Sequence, residues 1–286
     1  MFAKSNFSKS LFSKSLGLSL MLSELRVMFT RRRTWALLFA IAMIPILLAI
    51  AVSLSAERLA PGEGPPFLDR VTQNGLFTGF TAMLLAMPLF LPLTISVVAG
   101  DTIAGEAGLG TLRYLLIAPV GRARLLIVKY LGTLVFTLAG TFTLMIAGAI
   151  IGAILFPVGP VTLLSGDVIQ VPEALARMGL IAVYTTISMM GMLALGLFIS
   201  TLTTIPVGAM TGVLIASGVS QILDNLPQLA FLHEWLFTHY WLDFADILRQ
   251  PMELSSLGSN LLLQLGYVAV FGSLAYGRFA SKDILS

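Results

Sequence analysis

Six long apolar segments constrain the fold of this chain more than any other feature of its sequence. They lie at about residues 35–54, 77–99, 126–156, 178–200, 205–223 and 260–279, and each contains at most one charged residue. A helix needs about 20 mainly apolar residues to cross a hydrocarbon core about 30 Å thick. The sequence therefore predicts an all-α integral membrane protein with six transmembrane helices. Pro88 and Pro92 predict a kink in the second helix.

The composition excludes an ordinary soluble enzyme. Of the 286 residues, 57% are hydrophobic and 11% are charged, whereas an average soluble domain has about 25% charged residues. The chain has no Cys and two His, which excludes disulfides, thiolate metal sites and iron–sulfur ligation. We expect no metal or cofactor to be bound by this chain.

The charged residues divide between the two sides of the predicted bundle. Thirteen of the 17 Lys and Arg residues fall on one side, and 10 of the 14 acids fall on the other. The positive-inside rule then places both termini in the cytoplasm. Because the basic residues are sorted by membrane side, they are a topological signal and predict no nucleic-acid partner. The predicted domains are a basic arm with an interfacial helix (1–34), a six-span domain (35–279) and a cytoplasmic tail (280–286).

The segment before the first span is predicted to anchor the protein at the membrane surface. Residues 18–29 have the pattern of an interfacial helix, and they lead into a run of three arginines. The basic repeat in the first 16 residues is interpreted as a flexible arm, or as sequence upstream of a start at Met21. The predicted interface anchors are Arg31, Arg32, Arg33 and Lys129, the last by extending its amine toward the headgroups.

The predicted spans contain no means of driving transport or catalysis by themselves. Their cores lack Asp, Glu, Arg and His, although coupling to an ion gradient normally needs such groups. The chain also lacks the phosphate-binding G-x-x-x-x-G-K-[ST] pattern. His233 and His239 are spaced wrongly for a zinc protease helix, and no His lies within the spans to activate Ser188 or Ser217. If the protein does work, a partner must supply the energy.

A loop of about 25 residues between the second and third spans carries the most specific motif. It contains a Gly-Glu pair, then Gly-Thr-Leu, two leucines, a proline, a basic pair and a lysine that opens the third helix. This order resembles the permease subunits of ABC-2-type ABC transporters. The matching positions, with the arginine that follows Gly-Thr-Leu, are Gly105, Glu106, Gly110, Thr111, Leu112, Arg113, Leu115, Leu116, Pro119, Arg122, Arg124 and Lys129. Ala107 and Arg113 depart from the family, which often has a charged residue and an acid there.

The resemblance implies a permease subunit in a bacterial or archaeal cytoplasmic (inner) membrane. Two such subunits, identical or paralogous, would join two copies of a cytoplasmic ABC ATPase, which uses the ATP and Mg. The loop residues agree with this, because Gly110 and Thr111 can start a short coupling helix that ends before Pro119. Alternatively, Leu115 and Leu116 lie in the membrane interface and the arginines bind headgroups. Glu106 either pairs with Arg122 or Arg124 or is solvated.

Other residues suggest a dimer face and a substrate path. Small-residue pairs at Gly148/Gly152 and Gly208/Gly212 allow close helix packing, within one subunit or across a dimer. The aromatic and acidic segment 224–259 is interpreted as a lid, a partner-binding surface or an aromatic belt anchor. Methionines and hydroxyl groups suit an apolar or amphipathic exported substrate. The proposed path residues are Met87, Ser188, Met189, Thr211 and Ser217.

Two other function classes remain open from the sequence. The protein could be a membrane anchor or scaffold for an assembly or maturation complex, without transport. An intramembrane enzyme is a weaker alternative, because the catalytic residues named above are missing.

Overall fold

The computed structural model describes residues 19–56, 66–110, 121–252 and 254–281. Within these ranges the chain is almost entirely helical. The helices are α1 (19–30), α2 (Arg32–Ala56), α3 (Pro66–Gln73), α4 (Phe77–Ala86), α5 (Phe90–Gly108), α6 (Arg122–Leu155), α7 (Val171–Ser188), α8 (Met190–Leu202), α9 (Pro206–Asp224), α10 (Ala230–His233) and α11 (Ser255–Ser281). A two-residue antiparallel hairpin, β1 (Val161–Thr162) and β2 (Val168–Ile169), follows α6.

Six helical segments of the described chain are long and apolar enough to cross a membrane. They are α2, α5, α6, the α7–α8 pair, α9 and α11. The prediction of an all-α protein with six such segments is confirmed, which indicates a multi-pass membrane protein. The predicted basic arm lies outside the described residues up to position 18, as does the tail from position 282.

Contacts between helix ends show that the six segments alternate in direction. The Arg122 guanidinium at the start of α6 donates a hydrogen bond to the Phe279 carbonyl at the end of α11, and Gly108 at the end of α5 lies against Thr204. We call this end, formed by residues 19–34, 101–110, 121–130, 201–206 and 276–281, the basic end. The opposite end, formed by residues 70–76, 156–172, 224–252 and 254, is the acidic end.

The second predicted span is broken where its prolines predict a kink. α4 ends at Ala86 and α5 begins at Phe90. The Pro88 carbonyl group would normally accept from the N–H of residue 92, but Pro92 has no N–H to donate. The Gln221 amide of α9 donates to this carbonyl oxygen at 2.9 Å. A side chain from another helix therefore replaces the missing backbone hydrogen bond.

The fourth span has a break that the sequence does not predict. α7 and α8 meet at Met189, with no proline nearby. On α11, the Gln264 side chain accepts from the Gly191 N–H at 2.9 Å and the Asn260 side chain donates to the Ser188 hydroxyl at 2.7 Å. The Trp241 indole donates to the Ser188 carbonyl at 3.0 Å. This buried network satisfies the polar groups that the break exposes.

Four glycines allow α4 and α6 to cross in direct backbone contact. Gly148 packs on Gly79, where a methyl group would lie 2.5 Å from the Gly79 Cα. One turn further, Gly152 packs on Gly75, and a methyl group there would overlap the Gly75 carbonyl group. Of the two uses that the sequence leaves open for Gly148/Gly152, the structure shows packing within one subunit. Gly208, in contrast, faces open space.

The aromatic segment at the acidic end is folded into the core. Phe237, Trp241 and Phe244 are buried, whereas Phe231 and Trp235 are exposed. The segment forms a 3-10 turn at Pro227–Leu229, α10 and a 3-10 helix at His239–Leu248. An aromatic belt therefore does not describe most of this segment, because it packs against α7 and α11.

We expect Gly152→Ala to destabilise the fold, because the added methyl group would overlap the Gly75 backbone. Overpacking of this kind costs about 1–3 kcal/mol. Gly266→Ala on α11 is the matched control, since nothing lies within 4 Å of its added methyl group. Thermal unfolding in detergent should show a lower midpoint for Gly152→Ala alone. Equal midpoints for the two variants would contradict the close crossing.

Candidate functional site

The basic end holds a buried ionic cluster on both sides of the loop that carries the predicted coupling motif. The Lys129 ammonium group of α6 contacts Glu106 of α5, and it lies 2.9 Å from Glu24 of α1. The Lys129 side chain is 6% exposed. The cluster therefore joins three helices through one lysine, with one positive charge between two carboxylates.

A second ion pair joins α5 to the start of α2. Arg33 donates to the Asp101 carboxylate at 2.9 Å and to the Val97 carbonyl at 3.1 Å. Arg31 lies 3.8 Å from the same carboxylate. Because Asp101 and Glu106 are five residues apart on α5, the last two turns of this helix are bonded to α1, α2 and α6.

Ser200 of α8 fixes the same stretch of α5 from the opposite side. Its hydroxyl group accepts from the backbone N–H groups of Ile103 and Ala104 at 3.0 and 2.8 Å, and it donates to the Gly100 carbonyl at 2.8 Å. Gly100 also packs directly on the Met210 backbone of α9. The C-terminal part of α5 thus contacts α1, α2, α6, α8 and α9.

A cavity of about 730 Å³ opens beside the ionic cluster. Part of its wall is charged and part is apolar. The lining includes Glu24, Met28, Arg31, Arg33, Leu37, Val98, Asp101, Glu106, Leu109, Lys129 and Pro206. A cavity with such a mixed lining suits an amphipathic molecule better than a purely polar or purely apolar one.

The structure places some predicted loop residues and leaves others undescribed. α5 ends at Gly108, and Gly110 adopts a left-handed backbone with φ of 69°. This agrees with the predicted chain break at Gly110. Residues 111–120 lie outside the described residues, so the predicted coupling helix stays a prediction. These positions include Thr111, Leu112, Arg113, Leu115, Leu116 and Pro119.

Two predicted roles at this end are corrected. Glu106 contacts Lys129, whereas Arg122 donates to carbonyl groups at the end of α11. Lys129 does not extend toward the headgroups, because its amine is buried between two carboxylates. Among the predicted arginine anchors, Arg33 binds Asp101, while Arg31 and Arg32 are largely exposed. Sequence reasoning missed Glu24, Asp101 and Ser200 because their partners are distant in sequence.

The five proposed path residues lie apart from the cavity at the basic end. Met87, Ser188, Met189 and Ser217 are buried, and Ser188 belongs to the network that holds the α7–α8 break. Thr211 is exposed and donates to the Val207 carbonyl one turn earlier. None of the five lines the cavity at the basic end.

At the acidic end, a fully buried arginine joins α7 to the segment that precedes α11. Arg177 is 1% exposed, and it bonds Glu173 at 2.7 Å. It also donates to the carbonyl groups of Ile247 and Arg249 at 2.7 and 2.9 Å. Nothing in the sequence distinguishes this arginine from an ordinary loop charge, because its partners lie about 70 positions further along the chain. Its contacts indicate a structural clamp.

The acidic end also contains a group of ionisable side chains. His239 Nδ1 lies 2.7 Å from Asp224 Oδ1, and the rings of His239 and His233 are 6.0 Å apart. Burial raises the pKa of the Asp243 carboxyl group; Asp246 raises it further, and His239 opposes the shift. Within the ranges that the structure describes, no three His, Asp or Glu side chains group as metal ligands.

Lys129→Gln should destabilise the protein, because it leaves two carboxylates facing each other without a cation. Breaking a buried ion pair costs about 3 kcal/mol, which corresponds to roughly 6–10 °C in the unfolding midpoint of a protein of this size. The exchange Lys129→Glu with Glu106→Lys retains the charges and should recover much of this loss. Arg26→Gln, an exposed change on α1, is the control. A midpoint for Lys129→Gln equal to that of Arg26→Gln would refute the structural role of the cluster.

Comparison with known proteins gives a family for the chain. A family model described as "Protein of unknown function (DUF2705)" matches residues 38–285. A search of curated proteins found no match. Since the matched region spans the bundle from α2 to α11, the chain belongs to the DUF2705 family.

Proposed function

We propose that this protein is the membrane permease subunit of an ABC-2-type ABC transporter, driven by a separate ATPase. The observation that carries the proposal is the ionic cluster around Lys129. It joins the helices on both sides of the 111–120 loop, whose sequence resembles the ATPase-coupling loop of such permeases. A partner that displaces this loop would therefore move α1, α5 and α6 together.

The contacts of α5 support transmission into the bundle. Asp101 binds Arg33 of α2, and Ser200 of α8 binds the α5 backbone at Ile103 and Ala104. Coupled motion needs packed helices and hydrogen-bond networks that connect the two sites. On this proposal, the coupling loop acts on α5 and α6, and α5 passes the movement to α2 and α8.

The charge distribution supports a location and an orientation for this transporter. Lysines and arginines are concentrated at the basic end, which the positive-inside rule assigns to the cytoplasm. The ATPase would then dock beside the 111–120 loop on the cytoplasmic side of a bacterial or archaeal inner membrane. This chain would bind no nucleotide, and its partner would use ATP and Mg.

The cavity at the basic end supports an amphipathic substrate. Arg31 and Arg33 lie on one part of its wall, while Met28, Leu37 and Val98 supply apolar surface. An amphipathic molecule in the cytoplasmic leaflet could enter such a cavity with its polar group toward the charges. Export from this leaflet is therefore the direction that we propose.

A second permease copy or a paralogue would complete the translocation path. α9 presents an apolar face that the described chain leaves uncovered, including Val207, Ile215, Val219 and Ile222. Gly208 on this helix faces open space, whereas Gly212 packs on Ile199. Gly208 is thus the better position to test a contact between two subunits.

Leu115→Asp should abolish binding of the ATPase, because it places a charge on the apolar side of the predicted coupling helix. The measurement is co-purification with a co-expressed candidate ABC-type ATPase. Leu254→Asp makes the same chemical change at the exposed acidic end, and it should leave co-purification unchanged. In reconstituted vesicles, an amphipathic substrate should stimulate ATP hydrolysis if the protein is a transporter. A scaffold should show no such stimulation. Equal ATPase recovery with both variants would refute the docking role.

Gly208→Cys should give a crosslinked dimer with a short bifunctional maleimide if α9 lies at the subunit interface. The chain has no native Cys, so a single introduced thiol reports on one position. Gly266→Cys on α11 also faces open space and serves as the control for random collision. A dimer yield no higher at position 208 than at position 266 would exclude α9 as the interface.

A further inference from the structure

The backbone hydrogen bonds of the fourth span are interrupted at Met189, where α7 and α8 meet. In a continuous helix each N–H group donates to the carbonyl group four residues earlier. Here the Met189 N–H is shared between the carbonyl groups of Thr185 and Thr186, at 3.1 and 3.3 Å. The Gly191 N–H donates to the Gln264 side chain at 2.9 Å instead of to a carbonyl group of α7. The span is therefore less stiff at this point than a continuous helix.

The half of the span before the break is bonded to the segment at the acidic end. The Arg177 guanidinium donates to the carbonyl groups of Ile247 and Arg249 at 2.7 and 2.9 Å. The Tyr184 hydroxyl donates to the Tyr240 carbonyl at 2.8 Å. These two contacts are seven residues apart on α7, about 10 Å along the helix. Together they fix the orientation of α7 relative to this segment.

The half of the span after the break is bonded to α5 instead. The Ser200 hydroxyl group binds three backbone groups of α5. One turn earlier, Gly196 packs on Ala99 of α5, where an added methyl group would lie 2.6 Å from the Ala99 Cβ. α8 therefore follows a movement of α5. The two halves of one span are thus attached to different parts of the molecule.

The break itself is held in place by α6 and α11. The Tyr130 hydroxyl of α6 donates to the Met190 carbonyl at 3.1 Å. Gln264 of α11 is fully buried, and it reaches Gly191 because this residue has no side chain. A methyl group there would lie 2.5 Å from the Gln264 side-chain oxygen. A fixed point between two rigid halves with separate partners has the geometry of a hinge, where a few residues absorb the change in backbone angles.

We propose that Met189 is a hinge, at which α8 pivots while α7 stays fixed to the acidic end. A displacement of α5 at the basic end is carried by Ser200 into α8 and ends at Met189. The hinge is a property of the fold and does not depend on the proposed transport function. In the proposed transporter, it confines the movement started by the ATPase to the half of the span nearest the basic end.

The test displaces α8 at its basic end and measures both halves of the span. Ser200→Val removes the hydroxyl group and adds bulk at a position that is fully buried against α5. Spin labels on Ile127→Cys and Leu202→Cys report on α8 relative to α6. Labels on Ile154→Cys and Leu175→Cys report on α7 relative to α6. All four of these side chains are exposed, and the chain has no native Cys.

Distances are measured by pulsed electron paramagnetic resonance in lipid bilayers without an ATPase, so the result is independent of the proposed function. Ser200→Val should shift the distance between positions 127 and 202 and leave the distance between positions 154 and 175 unchanged. Ser53→Val on α2 is the matched control, because the Ser53 hydroxyl donates to the Ile50 carbonyl of its own helix. This control should shift neither distance.

Two outcomes would overturn the hinge. Positions 175 and 202 lie 14 and 13 residues from Met189, about 20 Å along the helix in each direction. A rigid span would tilt as one body, so shifts of similar size at both label pairs would contradict the proposal. A shift at neither pair would show that α8 does not follow α5. Should Ser200→Val fail to fold, Ser200→Ala removes the three hydrogen bonds without adding bulk, and only the distribution of 127–202 distances should broaden.

Discussion

The structure depends on one constraint, which is that polar groups buried in a bilayer must find partners within the protein. Two of the spanning segments are broken, and each break exposes backbone groups away from water. Gln221 supplies the donor that Pro92 cannot give to the Pro88 carbonyl. Gln264 and Trp241 bind the backbone on either side of Met189. Gln221 and Gln264, two neutral polar residues in the spans, thus satisfy backbone groups at the breaks.

This constraint also explains how helices of uneven shape pack together. A broken helix cannot present a regular surface along its whole length, so close contact is concentrated where side chains are smallest. The crossing of α4 and α6 at Gly79 and Gly148 is such a place. It brings the first half of the broken span against the longest helix. The second half, α5, then lies against α8 and α9, where Gly100 meets Met210.

The sequence predicts the features that depend on neighbouring residues. Apolar runs predict the six segments, and Pro88 and Pro92 predict the first break, because a missing N–H acts within one turn. The sequence does not predict that Lys129 contacts Glu24, since the two residues are 105 positions apart. The sequence also does not predict the break at Met189, because the polar partners of this break lie on other segments. The charge count predicted which residues share an end, but only the fold shows which of them touch.

The ionic cluster fixes the relative position of α1, α5 and α6 more than it adds to the stability of the protein. Removing two carboxylates and an amine from water costs much of what their attraction returns, so apolar side chains could have joined these helices equally well. Apolar contacts, however, tolerate sliding, whereas Lys129 must meet Glu24 and Glu106 at hydrogen-bond distance. A movement of α5 relative to α6 would therefore break these contacts at the point where α1, α5 and α6 meet.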